Sequence, residues 1–126
     1  MAIIYKPVPR WNPARKTDPP KYHAQSVNTG SISLRQLAKL ISERATVKTA
    51  DTMAVLEGML EVIPAELGDG KIVRLGDFGT FSASIKSDGV ETEDKLKSSH
   101  IHQVTIRFRP GDEFQKAIKS YTFHRK

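Results

Sequence analysis

The sequence predicts an α+β fold: two helices, a glycine-turned β-hairpin, a long connecting segment, a further strand and a short C-terminal helix. Three observations predict it. Two stretches carry apolar residues at helical spacing, Leu34 to Ala45 and Met53 to Leu67. Val73-Arg74-Leu75-Gly76-Asp77-Phe78-Gly79-Thr80-Phe81 alternates into a glycine-bracketed turn and out again. Val104, Ile106 and Phe108 alternate with Thr105, Arg107 and Arg109 before Pro110-Gly111 halts the strand.

Residues 1–30 read as a basic, β-prone extension. Ile3 to Trp11 looks extended; Pro7 and Pro9 exclude a helix and remove ladder donors, so a strand here is expected at a sheet edge. Asn12-Pro13 and Pro19-Pro20 mark a loop, and Lys21 to Val27 suits a returning strand closed by Asn28-Thr29-Gly30. Lys6, Arg10, Arg15, Lys16 and Lys21 suit either a basic arm on phosphates or a solvated lead segment. Trp11 and Tyr22 suit packing of the extension more readily than stacking on bases.

The first helix is expected to be capped by Ser31 or Ser33. Leu34, Leu37, Ala38, Ile41 and Ala45 fall on one face. Thr49 suits the cap of the second helix, whose stripe of Met53, Leu56, Leu60, Ile63 and Leu67 is widened by Val55, Met59 and Val62. So broad an apolar surface exceeds what one facing helix covers and points to a second chain. Pro64 is expected to kink or shorten this helix, and Gly68-Asp69-Gly70 to end it.

In the hairpin, Phe81, Ala83 and Ile85 alternate with Thr80, Ser82 and Ser84. Within Lys86 to Gln103, Ser87-Asp88-Gly89 reads as a turn, Val90 to Lys97 is polar and mixed in charge, and Ser98-Ser99 suits the start of another turn. Asp112 opens a short helix carrying Phe114, Ala117 and Ile118, and Tyr121 and Phe123 alternate as a returning strand would.

The chain has 126 residues, 38% of them hydrophobic, enough for a modest core, and no cysteine, so neither disulfides nor a thiolate metal site. Met1-Ala2-Ile3-Ile4-Tyr5 is not followed by a long apolar run, so neither a signal peptide nor a membrane span is expected. The formal net charge of +6 favours an anionic partner. Residues 1–30 hold five Lys/Arg against one Asp, and residues 106–126 hold six against two acids. The segments between are each one charge negative.

Gly79-Thr80-Phe81 after Phe78, and Phe108-Arg109-Pro110-Gly111 followed by a helix, resemble the glycine turn and the Phe-basic-Pro-Gly step of the HU/IHF family of bacterial DNA-bending proteins. The resemblance covers roughly residues 31–119. It implies an HU/IHF-like fold over residues 31–126, with a β-sheet saddle, β-arms and an intertwined homodimer. In that family the arms reach around the DNA minor groove. The chain is similar to a divergent HU-like group with an N-terminal extension.

The resemblance implies a nucleoid-associated, cytoplasmic protein that binds duplex DNA through the phosphate backbone with low sequence specificity. The positions expected at DNA are Arg74, Gly76, Gly79, Lys86, Arg107, Arg109, Lys116 and Lys119. Asp77, in the turn, would repel a phosphate. The family's arm-tip motif, Arg-Asn-Pro-x-Thr-Gly, is absent, and no proline lies between Phe81 and Arg109. Glu91, Glu93 and Asp94 offset Lys86, Lys95 and Lys97, and Asp112 and Gln115 stand where the family usually has lysines. These departures support an alternative: an HU-like fold kept as a protein-interaction or structural dimer without DNA bending.

Other chemistries find little support. His100 and His102 form a His-x-His, but the sequence indicates no third ligand, so no metal or other cofactor is expected. No phosphate-binding glycine loop, nucleophilic cysteine or Ser/His/Asp arrangement points to an enzyme or a small-molecule substrate.

Overall fold

The structure is a computed structural model and describes residues 1–126. In chain order its elements are β1 (Ala2–Arg10), β2 (Lys21–Ser26), α1 (Leu34–Arg44), α2 (Thr49–Gly68), β3 (Val73–Arg74), β4 (Gly79–Ser87), β5 (Ile101–Pro110), α3 (Asp112–Ile118) and β6 (Thr122–Arg125). They fall into two compact units: Met1–Ile32 with Lys116–Lys126, and Ser33–Gln115.

The first unit holds a three-stranded sheet in the order β2-β1-β6. β1 and β2 are antiparallel from Tyr5↔Ser26 to Arg10↔Lys21, while β6 runs parallel to β1 from Ala2↔Thr122 to Tyr5↔Arg125. The strand bearing Pro7 and Pro9 is therefore central in strand order, where an edge strand was expected. The two neighbours pair with different halves of it. β6 ends at Tyr5, so beside both prolines one side of β1 is open and no ladder donor is missed there. At the shared edge the Thr122 amide and hydroxyl both donate to the Met1 carbonyl, at 3.1 and 2.7 Å.

The second unit pairs two helices with a sheet in the order β3-β4-β5. Ser33 caps α1 through a reciprocal box. Its hydroxyl accepts from the Gln36 amide at 3.2 Å, and the Gln36 side-chain oxygen accepts from the Ser33 amide at 2.9 Å. The expected Thr49 cap does not form. Lys48 takes the cap position, and the Thr49 hydroxyl lies 2.9 Å from that of Ser42, tying the end of α1 to the start of α2. α2 continues through Pro64 to Gly68, so the proline does not shorten it. Glu66 and Lys71 brace its end with a 2.9 Å ion pair.

The strands lead into one another through a glycine turn. Gly76–Phe78 forms a short 3-10 turn, and the Gly79 carbonyl accepts from the Leu75 amide at 2.8 Å. At Gly79, φ is 152°, and an added Cβ would lie 2.6 Å from the Arg109 carbonyl oxygen and 2.6 Å from the Phe108 ring. Gly111 is also forced: a Cβ there would collide with the Asp77 carbonyl. The two motifs thus meet in space, sealed by the Gly111 amide donating to the Phe78 carbonyl at 3.0 Å. Phe78, Phe81, Phe108 and Phe114 pack around this junction, with ring centroids 4.7 to 5.9 Å apart.

β4 and β5 pair from Gly79↔Pro110 to Ser87↔Ile101, with an irregularity at Lys86/Ser87. The expected arm is not an extended ribbon. Residues 88–100 fold into two 3-10 turns, Glu93–Lys95 and Ser98–His100, closed at the base by the Asp88 amide on the His100 carbonyl at 3.0 Å.

The apolar residues of this unit are poorly covered. Ala38 and Leu67 are the buried hydrophobic residues, while Leu60 is 60% exposed and Val55 64%. A groove of about 520 Å³ lined by Leu56, Leu60, Ile63, Phe81 and Ile106 lies open beside α2 and the sheet. No helix is long and apolar enough to cross a membrane.

Candidate functional site

The register of the second sheet sorts its side chains onto two chemically opposite faces. On one, Val73, Phe81 and Phe108 form a row, followed by Ala83↔Ile106 and Ile85↔Val104. On the other, Arg74, Thr80 and Arg109 form a row, followed by Ser82↔Arg107, Ser84↔Thr105 and Lys86↔Gln103. This segregation follows from the period of two in each strand, once the register sets the strands against one another.

The polar face is cationic and uncompensated. Arg74, Lys86, Arg107 and Arg109 are exposed, and none has a carboxylate within ion-pair distance. The ion pairs of the chain lie elsewhere: Lys71–Glu66, Lys95–Glu91 and His102–Asp88. Thr80, Ser82, Ser84 and Thr105 supply hydroxyls between the cations. Ser84 has a positioning role, accepting from Arg107 Nε at 3.2 Å and holding that guanidinium over the sheet. The shallow groove along this face is lined by Ile72, Arg74, Thr80, Arg107, Arg109 and Pro110 among others, with no acidic residue. Such a surface presents fixed positive charge and short donors to a polyanion.

The remaining expected positions divide. Gly76 is exposed at the start of the 3-10 turn, with φ 59°. Gly79 is buried, with the Arg109 carbonyl and the Phe108 ring where a side chain would lie. Asp77 is exposed in the same turn. Lys116 and Lys119 belong to the first unit, and both are exposed. His100 and His102 are engaged separately: His100 Nδ1 accepts from the Lys97 amide at 2.9 Å, and His102 Nε2 lies 3.6 Å from an Asp88 carboxylate oxygen. The hydroxyl row was not singled out from sequence. The alternation of Thr80, Ser82 and Ser84 was visible, but its alignment with Arg107 depends on a register that no single strand encodes.

Comparison with solved structures finds the same fold. A protein of Bacteroides vulgatus ATCC 8482, described as a candidate bacterial DNA-binding protein, superposes with a TM-score of 0.70 at 16% identity. The match covers 98% of this chain and 48% of that one, so the chain spans about half the length of that protein. Anabaena HU, from a cocrystal structure with DNA, superposes with a TM-score of 0.55 at 20% identity, over 71% of this chain and 99% of that one. No curated protein matches the chain by sequence. The family model described as an HU domain fused to wHTH, Ig, or glycine-rich motif matches residues 1–125, extension included, and the chain belongs to this HU-HIG family.

Proposed function

We propose that the protein is a non-enzymatic DNA-binding protein of HU/IHF type that holds duplex DNA through its phosphate backbone. The observation that carries this reading is the row of Arg74, Arg107 and Arg109 on one sheet face, free of carboxylate partners and backed by an apolar face. Lys86 extends the row and Gly76 adds a backbone amide. Lys116 and Lys119, in the other unit, are proposed as separate phosphate contacts. Contacts of this kind neutralise phosphates and release counterions without reading bases, so sequence preference is low. The cocrystal of Anabaena HU with DNA supports the same use of the fold.

The working form in this reading is a homodimer, because Val55, Leu60 and the groove beside α2 leave apolar surface that a second copy would cover. The site of action is the nucleoid. Bending is weaker than in proline-tipped relatives. The segment between β4 and β5 carries no proline to wedge between base steps, and its Glu91, Glu93 and Asp94 offset its lysines.

The test is affinity for two unrelated duplexes between about 50 and 200 mM salt, for the wild type and Arg107→Ala/Arg109→Ala. The expected result is a steep salt slope common to both duplexes, shallower and weaker by a similar factor on each in the double variant. Equal binding by the double variant would remove the assignment of this face.

A second reading is favoured by the compact segment 88–100, where four acids stand against two lysines: an HU-like dimer that binds a protein partner instead. A dimer that ignores both duplexes even at the lowest salt would select it.

A further inference from the structure

The first unit carries a feature that the cationic sheet face does not explain. At the loop end of the β1–β2 hairpin, Arg10 and Lys21 are directly opposite each other across the ladder. Like charges at such positions repel. No carboxylate lies within ion-pair distance of either, or of Arg15 in the connecting loop. His23 follows Lys21 on the same strand face, two residues along. These four side chains, Trp11 and Asp18, the one acid present, line a common pocket of about 380 Å³. Trp11 is 58% exposed, so its ring is not consumed by packing. The loop is built rather than loose. The Asn12 side-chain oxygen accepts from the Ala14 amide at 3.0 Å, the Arg15 amide donates to the Asn12 carbonyl at 3.1 Å, and the Asp18 amide donates to the Arg15 carbonyl at 3.2 Å.

We propose that this hairpin end is a second nucleic-acid site, one that takes single-stranded DNA. Arg10, Arg15 and Lys21 would hold the phosphates, and the Trp11 ring would stack an unpaired base. The combination decides the class of ligand. Cations alone would suit any polyanion, but an exposed indole lining the same pocket as those cations gains from a base only where that base has left its helical stack. A pocket of this size has room for one nucleotide-sized group. Arg and Lys supply a groove for the backbone, and the indole supplies a stacking platform that tolerates any base. The inference does not rest on duplex binding by the sheet face, since all of its residues lie in the other unit.

The chain contains a single tryptophan, so its fluorescence reports on this pocket alone. The experiment titrates the full-length protein with an oligothymidylate of about ten nucleotides, and separately with a closed hairpin duplex of matching length. The expected result is quenching of Trp11 by the single strand, lost as salt rises, with little quenching by the duplex. Arg10→Ala/Lys21→Ala should weaken single-strand binding about tenfold or more, leaving duplex affinity within twofold. Arg15→Ala, in the exposed loop, should weaken it by a smaller factor and serves where the double variant fails to fold. Trp11→Ala, followed by anisotropy of a labelled oligonucleotide, should cost about tenfold. Arg107→Ala/Arg109→Ala should leave the single-strand quenching intact.

The inference is overturned if the single strand fails to quench Trp11 at low salt, if the duplex quenches it equally, or if the Arg10/Lys21 variant loses duplex and single-strand affinity alike. If duplex binding proves absent while single-strand quenching persists, the proposed function fails and this site stands.

Discussion

At the scale of single residues, the decisive positions are those where two segments touch with no room to spare. Gly79 is the clearest. Its φ of 152° and the 2.6 Å approach of the Arg109 carbonyl leave no space for a side chain, and the obstacle is backbone that cannot swing aside. Gly79→Ala combines backbone strain with overpacking, together on the order of 3 kcal/mol. A fall in melting temperature of roughly 10 °C or more is the expected outcome. A thermal melt of the variant showing no shift would mean that the β5 entry gives way at little cost. The glycine turn was readable from sequence as a place where ordinary residues would fit badly. That the obstacle is Arg109 was not readable, because the two residues are thirty apart in the chain and meet only through strand pairing. The same long-range pairing hid Ser84 as the partner of Arg107.

At the scale of elements, local chemistry was legible wherever a feature completes itself within one turn or one strand. The Ser33/Gln36 box needs only residues three apart, and it forms. Because the two side chains satisfy amides left without partners at the start of α1, Ser33→Ala should cost about 1 kcal/mol. Denaturant titration is the check, with an unchanged midpoint counting against the box as a stabiliser. Thr49 shows the limit of such reading. It has the right chemistry for a cap, yet its hydroxyl is taken by Ser42, seven residues back, and the helix starts one residue earlier. The proline-bearing β1 shows another. The edge rule holds at Pro7 and Pro9 themselves, but a strand can be an edge over one half and central over the other. Segment 88–100 has no periodicity to read, and its 3-10 turns are held by hydrogen bonds between residues three apart, such as the Lys95 amide on the Thr92 carbonyl.

At the scale of the whole molecule, the dominant feature is the uncovered apolar side of the helices and sheet. The width of the α2 stripe was legible from spacing alone, and the exposure of Val55 and Leu60 matches it. If a second copy covers this surface, as proposed, folding and association are one process, and the melting temperature should rise with protein concentration. Leu60→Glu would set a charge within the apolar surface, and the expected outcome is loss of the dimer by light scattering together with a lower, concentration-independent melt. A variant that stays dimeric and melts as the wild type does would place the contact elsewhere. What the sequence could not convey at this scale is the return of the last strand to the first, since alternation at Tyr121 and Phe123 names a strand but not its neighbour.

That return has a kinetic side. Ala2 pairs with Thr122, so the first sheet closes a loop of nearly the full chain. The entropy lost in bringing such distant segments together must be met before any of their contacts can repay it. The β1–β2 ribbon, joined by a ten-residue loop, faces a far smaller closure cost and is expected to form earlier. β6 can add only after the intervening hundred or so residues have collapsed and brought its partner within reach. The third strand of that sheet is thus expected to be the latch that closes last.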